Sequence, residues 1–323
     1  MVKRQLLFKE WKQSELTFIL VILVAALATP FTMLMDYTSF QSCLKDTSCI
    51  PVDDFYYNFH SDAFLSSSWI IGVLFALIQL GVERNKGLMD FTLSLPFSRS
   101  SIYHSKFMLG TGILVLIHAV SYGITFLLIF LLNPSEIYGF HSQYFNALII
   151  SLMIYSLFLA AGTLTGSAIA QALVAFSTAI LPFLVIGLPA DHLNLLLRST
   201  NNFDLYFINN FTMTMSPVMY VIKLGSDVEP YLFTGHHIVI PIVMLILFYI
   251  IGLIYFQKHP VERTGRFFLY PKMDRPIQIM VIVFGVLGFG MAGSSSLLGY
   301  VVGMLIGGAV GALMSYFLIY RKK

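Results

Sequence analysis

The residues best able to do chemistry in this chain are few and far apart. His118 is the one ionisable side chain well inside an apolar run, near Ser121 and Tyr122. Such a histidine could relay a proton or touch a substrate, but a hydrogen bond to a neighbouring helix is its more ordinary use. His236 and His237 lack a third ligand at helical spacing, and His259 and Glu262, three apart in a basic stretch, read as a solvated loop. Cys43 and Cys49 stand in a polar, acidic stretch at neither zinc-like nor CxxC spacing. A small disulfide loop, if the stretch faces an oxidising exterior, and two free thiols both fit. There is no HExxH, no GxSxG and no GxxxxGK[ST], so neither zincin nor nucleophile-elbow chemistry is available, nor a phosphate loop for ATP. The sequence therefore predicts no catalytic residue, no metal site and no directly bound cofactor.

The elements that would hold any site are apolar. The chain is 57% hydrophobic and 11% charged over 323 residues, with a mean hydropathy of +0.81, whereas a soluble domain carries about 25% charged residues. Eight apolar runs stand near the roughly 20 residues that cross a bilayer as a helix: 16–35, 64–82, 109–132, 147–170, 172–190, 238–256, 277–293 and 297–320. The first is long enough to read as a retained anchor rather than a cleaved leader. Only Gln171 separates the fourth from the fifth, and Pro182 marks a kink or break in the fifth. Near-continuous hydrophobicity excludes the alternating strands of a membrane barrel. The expected fold is an all-α polytopic membrane protein, one domain over 1–323, of about eight transmembrane helices.

Charge sets the orientation. The N-terminal stretch, the 83–106 and 257–276 loops and the C-terminal tail hold 16 of the 19 Lys and Arg residues, leaving Lys45, Arg198 and Lys223 for the other side. The positive-inside rule then places both termini in the cytoplasm and the 36–63 and 191–237 segments outside. The second outer segment is rich in aromatics and reads either as a packed loop or as a piece that dips into the interface. Basic residues confined to short loops give no nucleic-acid surface. No acid or base stands in mid-span apart from His118, which disfavours an ion-coupled transporter, and the missing catalytic clusters disfavour a membrane enzyme, the other alternative beside an assembly scaffold.

Two patterns stand out. Ser295, Gly299, Gly303, Gly307, Gly311 and Ser315 recur every four residues, forming a smooth stripe on the last span against which a neighbouring backbone could pack closely; Gly162, Gly166 and Ala170 make a shorter version and a candidate partner. Between the second and third spans, Leu88, Phe91 and Leu95 give a short helix an apolar stripe; Pro96 ends it, and Ser98 or Ser100 can cap the next.

This inner segment resembles that of type-2 ABC-exporter permeases: an acidic residue after the second span, a Gly-Leu turn, Leu-x-Leu-Pro, Ser-Arg and a downstream Lys. The matching positions here are Glu83, Gly87, Leu88, Leu93, Leu95, Pro96, Ser98, Arg99, Ile102 and Lys106. The amphipathic start at 1–15, with Leu7 and Trp11 one turn apart, is similar to the family's interfacial elbow helix. The chain departs from the commonest six-span pattern by two C-terminal spans, and within the family it is most similar to the Ytr-like permeases of Gram-positive bacteria, associated with acetoin utilisation and cell-envelope stress. The resemblance implies a plasma-membrane permease, not an enzyme. Its 83–106 coupling segment would sit against a separate ATPase that uses the ATP, with Glu83 and Arg99 as polar anchors, and it would pair with a second copy or a paralogous permease to export a substrate.

Overall fold

The computed structural model describes residues 4–45, 54–197, 205–224, 238–258, 260 and 265–320. An amphipathic helix α1 (Arg4–Gln13) turns at Ser14 into α2 (Glu15–Lys45), which carries Pro30 in its interior. Cys43 lies in the last turn of α2, and Cys49 lies outside the described residues. The second apolar run is not one regular helix. Asp62 caps the four-residue α3 (Ala63–Ser66) through a bond from the Leu65 amide (2.6 Å). The Ser66-Ser67-Ser68 triplet then breaks the ladder: Ser67 Oγ bonds back to the Ala63 carbonyl (2.7 Å), while Ser68 turns to Ser151 (3.2 Å). α4 (Trp69–Ala76) runs on through a π-helical turn, Leu77–Val82, into α5 (Glu83–Asn85).

For that reason seven helices among the described residues are long and apolar enough to cross a membrane, and the interrupted second run stands beside them. They include α2, α7 (Arg99–Leu132), α8 (Phe140–Leu164), the stretch Ala168–Leu193 that begins with α9 (Ala168–Pro182), and α13 (Val239–Gln257), and α14 (Pro271–Ala292) and α15 (Leu297–Tyr320) complete the set. α8 is the centre, with 78% of its apolar stretch inside the protein against 6% for α14. α4, α7, α9 and α13 pack around α8, and α2 packs on α7.

The junction of the fourth and fifth runs falls at Thr165–Ser167 rather than at Gln171, because Ser167 caps α9 by accepting from the Ala170 amide (3.3 Å). Gln171 is instead buried inside α9, and its amide reaches the carbonyls of Ala76 and Phe158 (3.0 Å each). Pro182 does not end the fifth run: the chain slips into a π-helical turn, Phe183–Gly187, and continues as α10 (Leu188–Leu197). Beyond it α11 (Leu205–Met215) leads to α12 (Pro217–Leu224), whose buried Tyr220 and Leu224 pack it onto the core.

The glycine stripe of α15 faces α14, not the fourth span. A Cβ at Gly299 would lie 2.7 Å from the Gly293 carbonyl and one at Gly311 3.0 Å from that of Val281, while Gly303 and Gly307 press on the backbone at Phe289 and Gly285. Gly162 accommodates the Gln171 side chain instead.

The connections gather at two opposite ends. At one end β1 (Tyr56–Asn58) pairs in parallel with β2 (Glu136–Tyr138), joining the connection before α3 to the one after α7. At the other, Gly265–Leu269 pairs with Leu164–Gly166 beneath the α8–α9 junction, through the Gly265 amide on the Gly166 carbonyl (2.8 Å) and the Leu269 amide on that of Leu164 (3.0 Å). α6 (Leu88–Ser94) and the start of α7 lie at this second end.

Candidate coupling site

The second end carries a buried ion network. α1 turns Leu6 and Glu10, one helical turn apart, into the protein. Lys106 in α7 is fully buried; its ammonium donates to Glu10 (2.6 Å), to Glu83 and to the Gln79 carbonyl (3.1 Å). Lys9 bridges the same two carboxylates at 3.1 Å each, and it donates to the Thr92 hydroxyl (2.6 Å), which donates in turn to Glu83 (2.6 Å). Two ammonium groups thus face two carboxylates, the condition under which buried charge is tolerated. Burial acts to raise the Glu83 pKa, but Lys106 and Lys9 overcome it and hold the carboxyl well below the usual range. The network extends to the core, where Gln79 donates to the Lys106 carbonyl (3.1 Å) and Tyr155 of α8 donates to Gln79 Oε1 (2.6 Å).

Arg84, beside Glu83, faces the opposite way. It is 2% exposed, and its Nη1 donates to the carbonyls of Gly162 (3.0 Å) and Thr165, which the end of α8 leaves without helical partners. Burial lowers its pKa to about 10, so it stays charged at neutral pH.

The segment between these anchors stands out from the protein. Gly87 has φ +71°, a left-handed conformation that suits glycine, and it opens α6. Met89 and Thr92 face inward, whereas Leu88 and Phe91 are exposed, Phe91 by 61%. Leu95 is half-buried against the core. It is extended (ψ 150°), as expected before Pro96, which ends the helix. Ser98 caps α7 by accepting from the Ser101 amide, and Arg99 donates to the Gln257 carbonyl (3.2 Å) at the end of α13.

Glu83 and Lys106 therefore form an internal clamp, and Glu83 is not available as an anchor for another protein. The expected stripe divides: Leu88 and Phe91 face out, while Leu95 leans inward. Sequence reasoning missed Lys9, Glu10, Thr92, Gln79, Arg84 and Tyr155. The one legible signal was an acid, Glu10, four residues after Leu6 on the apolar side of an amphipathic helix. Among the described residues no group of His, Cys, Asp or Glu could hold a metal ion. What the arrangement can do is mechanical: α1, α5, α6 and the first turns of α7 are bound to one another by buried ion pairs and hydrogen bonds.

The relatives of this chain place it among transport proteins rather than enzymes. The chain belongs to the ABC transporter permeases. It is 40% identical over 322 residues, covering 98% of this chain and 97% of the relative, to the protein described as "Probable ABC transporter permease YtrD" of Bacillus subtilis (strain 168). To "Probable ABC transporter permease YtrC" of the same organism it is 41% identical over 332 residues, covering 100% and 99%. No family model and no solved structure matches the chain. It is thus a multi-pass protein of the cell membrane.

Proposed function

We propose that this chain is the membrane subunit of an exporter driven by a separate ATP-binding-cassette ATPase that docks on the exposed face of α6. The chain binds no cofactor itself; ATP is used by the partner. A second copy or a paralogous permease completes the membrane part. Both termini and the ion-clamped end lie in the cytoplasm, as the 16-to-3 division of basic residues requires. Outward transport follows the resemblance of the 83–106 segment to exporter permeases.

The observation that carries this reading is the two-sidedness of α6. One side offers Leu88 and Phe91 to the outside, and the other is tied through Thr92 to Glu83 and Lys9. A partner pressing on Phe91 acts on the base of α7, whose 34 residues form an unbroken rod about 51 Å long. Phe91→Asp tests it. A carboxylate left unpaired in an apolar pocket of the partner costs several kcal/mol, and the substitution lies outside every span. The variant is expected to reach the membrane normally but to lose co-purification with the ATPase and stimulation of ATP hydrolysis; full retention of both overturns the docking assignment.

A further inference from the structure

The foot of the second apolar run carries a π-helical turn, Leu77–Val82, directly before the clamp residue Glu83. A π-helical turn takes one residue more than an α-helical one; it is rare, and found often at functional sites. Its hydrogen bonds show what holds it here. In an α-helix the Glu83 amide would bond the Gln79 carbonyl, four residues back. Instead that amide bonds the Leu80 carbonyl, and the Gln79 carbonyl takes the Lys106 ammonium (3.1 Å). The same ammonium binds the Glu83 carboxylate at the end of the turn. The Gln79 side chain completes the hold: its Nε2 donates to the Lys106 carbonyl (3.1 Å) and its Oε1 accepts from Tyr155 (2.6 Å). A side-chain charge from α7 thus stands where a helical amide belongs.

The π winding also leaves polar atoms unmatched around it. Arg84, next after Glu83, has its Nε and Nη2 buried without partners among the described residues, and so has Gln171 its Oε1. That oxygen lies against the turn itself, 2.7 Å from where a Cβ on Gly81 would stand. Unpaired buried groups raise the energy of the arrangement that holds them. The present winding therefore depends on the bond from Lys106.

We propose that this turn is a two-position switch: it stays π-helical while Lys106 occupies the Gln79 carbonyl, and when the ammonium withdraws the Glu83 amide closes on that carbonyl and the turn winds into an α-helix. Taking up the spare residue rotates all that follows by about 100° around the helix axis. The rotation carries Glu83 out of the clamp and Arg84 away from the end of α8, and it swings α6. In the reverse direction, a load on α6 works against the Lys106 bond. That an ATPase supplies the load rests on the docking reading above, whereas the switch is a property of this chain alone.

The test uses the full chain in lipid nanodiscs without nucleotide or ATPase, so that its failure leaves the docking assignment standing. Cys43 and Cys49 are replaced by serine, and spin labels are placed at Lys86, exposed just after α5, and at Ile169, exposed at the start of α9. Glu10→Gln with Lys106→Met takes the ammonium from the Gln79 carbonyl and leaves Lys9 to balance Glu83. The separation of the labels is expected to shift by about 5 Å or more, since a side chain reaches roughly 5–6 Å from the helix axis. Gln79→Leu, which leaves every ion of the clamp in place, should give a second population at the shifted separation. No shifted population in either variant overturns the proposal. Deleting Ile78 removes the spare residue, so that chain should insert normally and keep the original separation, and adding Glu10→Gln and Lys106→Met to it should then move nothing. A deletion that prevents insertion, or a shift that persists without the spare residue, places the movement elsewhere and overturns the proposal as well.

Discussion

The two ends of the chain are held to their neighbours by opposite means. α1 is fixed by charge: Glu10 and Lys9 reach three other elements, α5, α6 and α7, through bonds that need both partners. The α14–α15 hairpin is fixed by the absence of side chains, with glycine backbones in direct contact along Gly299, Gly303, Gly307 and Gly311. His192 of α10 joins it to the rest, bonding the Tyr300 hydroxyl (2.8 Å) and the Leu287 carbonyl (2.9 Å). An ionic clamp is strong only in one arrangement and costly in any that half-breaks it. Glycine packing depends on shape alone and carries no such switch. The first suits a joint that passes on a movement; the second suits a fixture.

The sharpest way to break this contrast is Lys106→Met. It leaves Glu10 and Glu83 buried with only Lys9 between them, at a cost of about 3–5 kcal/mol. Thermal unfolding followed by size-exclusion chromatography should show a large fall, and the double variant Glu10→Gln with Lys106→Met should recover more than half of it. Simple additivity of the two losses would mean that the groups do not act as a pair. Gly307→Leu should come next, at about 1–3 kcal/mol, because a side chain must push apart two touching backbones. Its effect should be confined to the hairpin, with docking of α1 and of the ATPase unchanged; an unaltered unfolding midpoint would place the stripe against lipid. Tyr300→Phe should be mildest. It removes one hydrogen bond to His192, worth about 0.5–1.5 kcal/mol, and faster amide exchange in α15 with no change in α1 would mark the hairpin as an independent unit.

Sequence periodicity reveals contacts within an element and hides those between elements. The apolar runs, the Pro96 stop, the Ser98 cap and the amphipathic α1 were legible because each is written in a few consecutive residues. The clamp was not, because Lys9 and Thr92 meet across 83 positions and their pairing leaves no local trace. The division of α6 was hidden for a related reason. Leu88 and Phe91 look like residues to be buried, but Met89 and Thr92 take the inner face, as Thr92 is needed by Glu83. Gln171 misled as a boundary because polarity suggests a turn, whereas two backbone carbonyls satisfy it inside a helix bundle.

The parallel pair of β1 and β2 ties strips from two different hairpins of the bundle into one cover at the end away from the clamp. With only Tyr56, Tyr57 and Asn58 set opposite Glu136, Ile137 and Tyr138, it is a hasp rather than a weld, since each of its few backbone bonds is worth about 1 kcal/mol net. Any stroke delivered at the foot of α7 arrives at its far end three residues before β2 begins. A rod swung from its base would therefore load this short pairing at its far end, where Tyr57 and Phe59 seat the strip in the core.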